Sequence, residues 1–162
     1  MSDFVLSQIL VGVVLCFDVA SFQFREKRHV LACLVFSALL LGTHFALLGV
    51  QTAAVLGFIA AARFFTAIFS HARWLLVLFL SLVIANAILS YTGLLTLLAT
   101  AGALITTTAA FLATDRQFRE YMMIGTVVWI AHNALAGSPG AVVLEIFFLG
   151  SNLVGYYRYY LR

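Results

Sequence analysis

Apolar residues fill seven runs of this chain, at 4–22, 30–49, 52–70, 74–91, 94–113, 121–136 and 139–157, and polar residues gather in the breaks between them. The breaks are Arg25-Glu26-Lys27-Arg28, Val50-Gln51, His71-Ala72-Arg73, Tyr91-Thr92-Gly93, Asp115-Arg116-Gln117-Phe118-Arg119 and Gly137-Ser138-Pro139-Gly140. A helix that crosses a bilayer needs about 20 apolar residues. The pattern therefore predicts seven spans, with almost nothing left for loops. Pro139 fits the first position of the last helix, where its missing N–H costs nothing. Connections this short leave successive helices as antiparallel neighbours.

The pattern also repeats. His44-Phe45-Ala46-Leu47-Leu48-Gly49 returns 88 residues on as His132-Asn133-Ala134-Leu135-Ala136-Gly137, and Ala53, Val55 and Leu56 return as Ala141, Val143 and Leu144. A second echo, Gln23-Phe24-Arg25-Glu26, returns as Gln117-Phe118-Arg119-Glu120 at an offset of 94, which predicts a second copy shortened between its motifs. Repeats constrain architecture before any single residue does. Spans 1–3 (4–70) and 5–7 (94–157) form the two copies, and the span at 74–91 connects them. The expected fold is an all-α membrane protein of seven transmembrane helices arranged 3+1+3, in one membrane domain over 1–162. The odd connector makes the two copies parallel repeats, the plan of SWEET-type sugar transporters.

Composition narrows the setting. Hydrophobic residues make up 64% of the chain and charged ones 9%, against about 45–50% and about 25% in soluble domains. A soluble fold of this size would be left with large exposed apolar patches. The first apolar run has no basic flank or small-residue cleavage site, so it is expected to stay as a helix. Cys16 and Cys33 lie inside apolar runs and have neither disulfide nor metal spacing. Charge then sets orientation. Arg25, Lys27, Arg28, Arg73, Arg116, Arg119, Arg158 and Arg162 fall on one face of the seven-span map, and the breaks on the other face carry no Lys or Arg. The positive-inside rule places the N-terminus in the periplasm and the C-terminus in the cytoplasm. Such a basic face reads as orientation and membrane-lipid contact, not nucleic-acid binding.

Ionisable groups at membrane depth are few, and each costs roughly 2.5–3.5 kcal/mol on insertion scales. Glu145 sits six residues into the last run, about 9 Å deep at 1.5 Å per residue. His132 lies at a matching distance before the same turn, so the two are expected to face each other and share a proton or an ion pair. The alternative is a polar clamp that only holds the hairpin. His44 is the counterpart of His132, but Gly57 stands where the second copy has Glu145. Arg63 lies near mid-membrane, too deep to snorkel easily. It is either paired with Glu145, Asp18 or helix-end carbonyls, or it faces an anionic solute. Asp18 is expected near the interface. Asn86, Asn133 and Asn152 can bridge helices, Thr106-Thr107-Thr108 can bond the preceding turn, and Trp74, Tyr91, Tyr156, Tyr157, Tyr159 and Tyr160 read as aromatic belts. No nucleophile–base arrangement, phosphate loop or cofactor motif is present, so no enzyme is expected.

With the basic break after the first span, His44 with Leu47-Leu48-Gly49, Arg63, His132-Asn133, Gly137-Ser138, Glu145 and Asn152, the chain resembles the YgjV-type bacterial inner-membrane family along essentially its whole length. That family is grouped with the SWEET and PQ-loop transporters. The resemblance implies a bacterial inner-membrane location. This chain departs from the PQ-loop pattern: it has one proline and no Pro-Gln, so the usual helix hinges are missing. The expected function is small-solute transport through a site between the two repeats. Arg63 would meet an anionic group, Glu145 and His132 would carry a proton, and His44, Asn133 and Asn152 would complete the site. A non-transporting sensor, receptor or assembly partner on the same fold is the alternative. Either could assemble further into an oligomer.

Overall fold

The computed structural model describes residues 3–49 and 51–162, and the side chains of all of these except 3–5, 8 and 51–53. Among the described residues there are seven α-helices and no strand. They are α1 (Asp3–Ser21), α2 (Lys27–Leu47), α3 (Gln51–Phe69), α4 (Arg73–Leu89), α5 (Leu94–Phe111), α6 (Asp115–Leu135) and α7 (Pro139–Tyr156), and a π-helical turn, Tyr157–Leu161, extends the last. Lys27–Leu47, Leu94–Phe111 and Pro139–Leu161 are long and apolar enough to cross a bilayer, while Ile9–Ser21, Ala54–Phe69 and Arg73–Leu89 are shorter apolar helices. The protein is an all-α membrane protein.

Beside an apolar core that includes Val14, Phe22, Leu31 and Phe118, burial departs from that of a soluble fold. Phe69, Ile88, Leu89, Leu94 and Phe147 are exposed, whereas Asp18, Lys27, His44, Arg63, Arg119 and Asn152 are buried. In water, buried charge and exposed aliphatic surface would both be costly. Against lipid, the outward Phe and Leu side chains meet a medium as apolar as themselves, and only the inward groups must find polar partners.

The chain divides into two compact units, 1–69 and 70–162. In the first, α2 packs against both α1 and α3; in the second, α6 packs against both α5 and α7, and α4 lies along α5. Moved by 88 residues, Lys27–Leu47 falls on Asp115–Leu135, and the start of α3 falls on the start of α7. The turns also correspond. Each helix ends in a right-handed cap residue, Leu48 or Ala136, followed by a left-handed glycine, Gly49 at φ 74° or Gly137 at φ 70°. After α6 the Gly137 N–H donates to the Ala134 carbonyl and the Ser138 N–H to that of Asn133, at 3.1 and 3.0 Å. That pair of hydrogen bonds closes the helix and requires the positive φ that glycine supplies without strain.

Contacts deeper in the two units follow the same offset. Ser37 on α2 bonds Asp18 on α1, and Gly125 on α6 lies against the Thr106 methyl on α5. Gly42 and Gly57 bring the backbones of α2 and α3 together: a Cβ on Gly57 would stand 2.7 Å from the Gly42 Cα. Close approach through small residues is the usual way membrane helices gain packing contacts.

Three expectations are revised. The helix expected to begin at 30 begins at Lys27, and the one expected at 121 begins at Asp115. Charged residues read as breaks are therefore the first turns of helices. Thr114 caps α6 by accepting from the Gln117 N–H at 3.2 Å, its hydroxyl also meets Gln117 Oε1 at 3.0 Å, and Asp115 sits in the first turn, where a negative charge suits the helix dipole. The Gln23-to-Glu26 echo falls with these boundaries, because it lies before α2 whereas Gln117 to Glu120 lies inside α6. Asp18, three residues before the end of α1, is buried with 6% of its surface exposed, because α2 covers that face of α1 with Ser37.

Candidate functional site

The candidate residues fall into both units. In the first, His44 sits in the last turn of α2 and is buried. Its Nδ1 lies 2.9 Å from the Ser7 carbonyl of α1. A carbonyl can only accept, so Nδ1 carries the proton and Nε2 is the acceptor atom of the neutral ring. Arg63 is buried in the interior of α3, with its guanidinium carbon 4.5 Å from the centre of the Phe64 ring. A cation over an aromatic face is attracted by the ring quadrupole, and more strongly where water is scarce.

In the second unit, His132 occupies the position in α6 that His44 holds in α2. Its Nδ1 is 3.1 Å from Asn133 Oδ1, and its ring meets Trp129 edge-on at 5.3 Å between centroids. The amide oxygen accepts, so here too Nδ1 donates and Nε2 is left as the acceptor. Asn133 thus orients the imidazole. Glu145 lies on α7, half-buried, six residues past Pro139.

Asn152 is committed to a contact that the sequence did not suggest. Its Nδ2 donates to the Arg119 carbonyl at 3.0 Å, and Arg119 Nη1 points back at Asn152 Oδ1 at 3.5 Å. Arg119 is completely buried, with its guanidinium 5.4 Å from the Tyr159 ring centre. The sequence pattern puts it among the loop cations; the early start of α6 moves it onto the helix face that α7 covers. The readable signal was the capping pair Thr114 and Gln117, which starts the helix before Arg119.

One turn outward the same helix end carries a second cluster. Arg116 Nε donates to Glu120 Oε1 at 2.9 Å and to the Tyr156 hydroxyl at 3.0 Å, and that hydroxyl donates to Glu120 Oε1 at 2.6 Å. The Tyr156 hydroxyl and the Arg116 guanidinium hold the Glu120 carboxyl below its usual range, and Glu120 in turn holds Arg116 up. The Tyr156 and Tyr160 rings meet at a tilt of 44°, with 5.3 Å between centroids, across the π-helical turn. Of the tyrosines read as belts, Tyr157 is exposed in that manner, whereas Tyr156 and Tyr159 are drawn into these arginine contacts. Thr106 and Thr108 bond the carbonyls of Gly102 and Leu104, one turn back, as expected.

Apolar helices with charged and amide side chains turned inward define an integral membrane protein with a polar interior. A sequence profile described as a bacterial inner membrane protein, Imp-YgjV, matches residues 5–162. The chain belongs to that bacterial inner-membrane family. It is 26% identical over 161 residues to the inner membrane protein YgjV of Escherichia coli (strain K12), an alignment covering 98% of this chain and 88% of that protein. No solved structure matches it.

Proposed function

We propose that this protein is a small-solute transporter of the inner membrane, built as two three-helix repeats linked by α4 on the SWEET/PQ-loop plan. All seven helices span the bilayer in this reading, with the N-terminus in the periplasm and the C-terminus in the cytoplasm. The observation that carries it is the burial of Arg63 in the interior of an apolar helix. A permanent cation at that depth is costly to insert, and groups of this kind are usually kept for a pathway. Arg63 meets an anionic group of the solute. Glu145 and the Nε2 atom of His132 exchange the coupling proton, and His44, Asn133 and Asn152 supply the remaining polar contacts.

A second reading has its own support. The Asn152 amide is committed to Arg119 and the His44 ring to Ser7, as in a protein whose polar groups brace helices for a sensor, receptor or assembly role. Thermal unfolding of the purified protein against a panel of small carboxylates, phosphates and neutral metabolites separates the two. Transport predicts stabilisation by an anionic solute that Arg63→Gln abolishes and Asn152→Ala, in a folded sample, weakens less. Stabilisation that is indifferent to Arg63, or confined to neutral compounds, would overturn the assignment.

A further inference from the structure

Asp18 stands apart from the residues assigned above. It is buried three residues before the end of α1, where Ser37 of α2 donates its hydroxyl to Oδ1 at 2.5 Å. Ser21 covers the same turn, donating to the Asp18 backbone carbonyl at 2.7 Å. Among the described residues no Lys, Arg or His nitrogen lies within 4.0 Å of the carboxylate. The titratable groups of α2, the helix packed against α1, are Lys27, Arg28, His29, Cys33 and His44. Of these Cys33 is near enough for its charge to interact with that of Asp18, and a thiolate there would repel the carboxylate. On α1 itself the nearest titratable neighbour is Cys16, which is also uncharged as a thiol. Among the described residues, the carboxylate has one hydroxyl to replace its lost hydration and no basic nitrogen within 4.0 Å.

We propose that Asp18, held by Ser37, is an intramembrane proton-binding site. The chemistry is a simple exchange. The carboxylate takes a proton from hydronium and releases water, and its hydrogen bond to Ser37 then reverses. The new Asp18 O–H donates to Ser37 Oγ, and the Ser37 hydroxyl turns its own proton to a backbone carbonyl one helical turn back, an acceptor that helical serines commonly use. Both states keep the Asp18–Ser37 contact, so the proton can come and go without separating α1 from α2. The site lies about 4.5 Å, at 1.5 Å per residue, from the end of α1, and that end is where the proton enters. It belongs to the first unit only: the corresponding contact in the second is between Thr106 and Gly125, which have no acid. This proposal does not depend on whether the protein transports a solute.

The test is infrared spectroscopy of the full chain in lipid vesicles in deuterium oxide, recorded from mildly acidic to alkaline pH. The wild-type spectrum minus that of Asp18→Asn should contain a protonated-carboxyl C=O band that disappears reversibly as the pH rises. Ser37→Ala should keep that band and shift its frequency, since the carboxyl loses its partner. The absence of that band from the difference spectrum at every pH overturns the proposal. Should Asp18→Asn fail to fold, the wild-type minus Ser37→Ala spectrum decides alone: a displaced carboxyl band supports the site, and identical spectra overturn it.

Discussion

Replacing Gly57 by alanine tests the packing on which the first unit depends. The added methyl carbon would stand 2.7 Å from Gly42 Cα, 2.9 Å from Gly42 N and 3.3 Å from the Ala38 carbonyl oxygen. All three are backbone atoms of α2, so no side chain can rotate away. Carbon–carbon contacts are optimal at about 3.5–4.0 Å, and relief therefore requires α2 and α3 to part by about 1 Å. Overpacking of this kind costs about 1–3 kcal/mol. Helix propensity works the other way, since alanine is favoured over glycine by up to about 1 kcal/mol. The net expectation is a loss of about 0–2 kcal/mol. Gly12 and Gly150 supply the control, because a Cβ at either meets nothing within 4 Å, and their alanine variants should be neutral or slightly stabilised. Reversible unfolding in mixed detergent micelles measures all three. A Gly57→Ala protein as stable as Gly150→Ala would refute the claim that the α2 and α3 backbones touch.

Three further outcomes follow from the same geometry. Asn152→Leu should cost about 1–3 kcal/mol in unfolding assays, because the Arg119 carbonyl and guanidinium lose a buried partner; an unchanged midpoint would remove the Arg119–Asn152 clamp from the account. For Glu120, whose folded carboxyl is held below its ordinary value, the stabilisation is present above the ordinary carboxylate range and fades as pH falls through the lowered value. Glu120→Gln should accordingly flatten the acid limb of a stability–pH profile, and an acid limb identical to wild type would contradict this. Reporter fusions after Arg73 and Arg162 should signal cytoplasm and one after Gln51 the exterior; an exterior signal from the C-terminus would break the seven-span topology.

Much of the helix plan could be read from the chain, because long apolar runs and turn residues are local signals. Gly137, Ser138 and Pro139 mark a helix end and a helix start through their own backbone preferences. Helix starts that carry charge were harder. Lys27 and the stretch from Asp115 to Glu120 look like loops to any hydropathy argument, yet a first helical turn tolerates charge and α6 has a capping pair to fix it. Burial of single polar residues was hidden for a different reason. Arg119 is buried because a residue 33 positions away, Asn152, and the tyrosines of the π-helical turn come to lie over it. Asp18 is buried because Ser37 does the same 19 positions on. Hydrophobic periodicity assigns faces; it does not say which partner covers them, and the wider π-helical turn has no local signature in Tyr157 to Leu161.

The most direct measurement is solute flux into vesicles containing the purified protein, across the anionic and neutral panel described above, for wild type and Arg63→Gln. Saturable uptake of at least one anionic solute by wild type is expected, lost in an Arg63→Gln protein that still folds. Flux no greater than in protein-free vesicles for every solute, or flux that the substitution leaves unchanged, would contradict it.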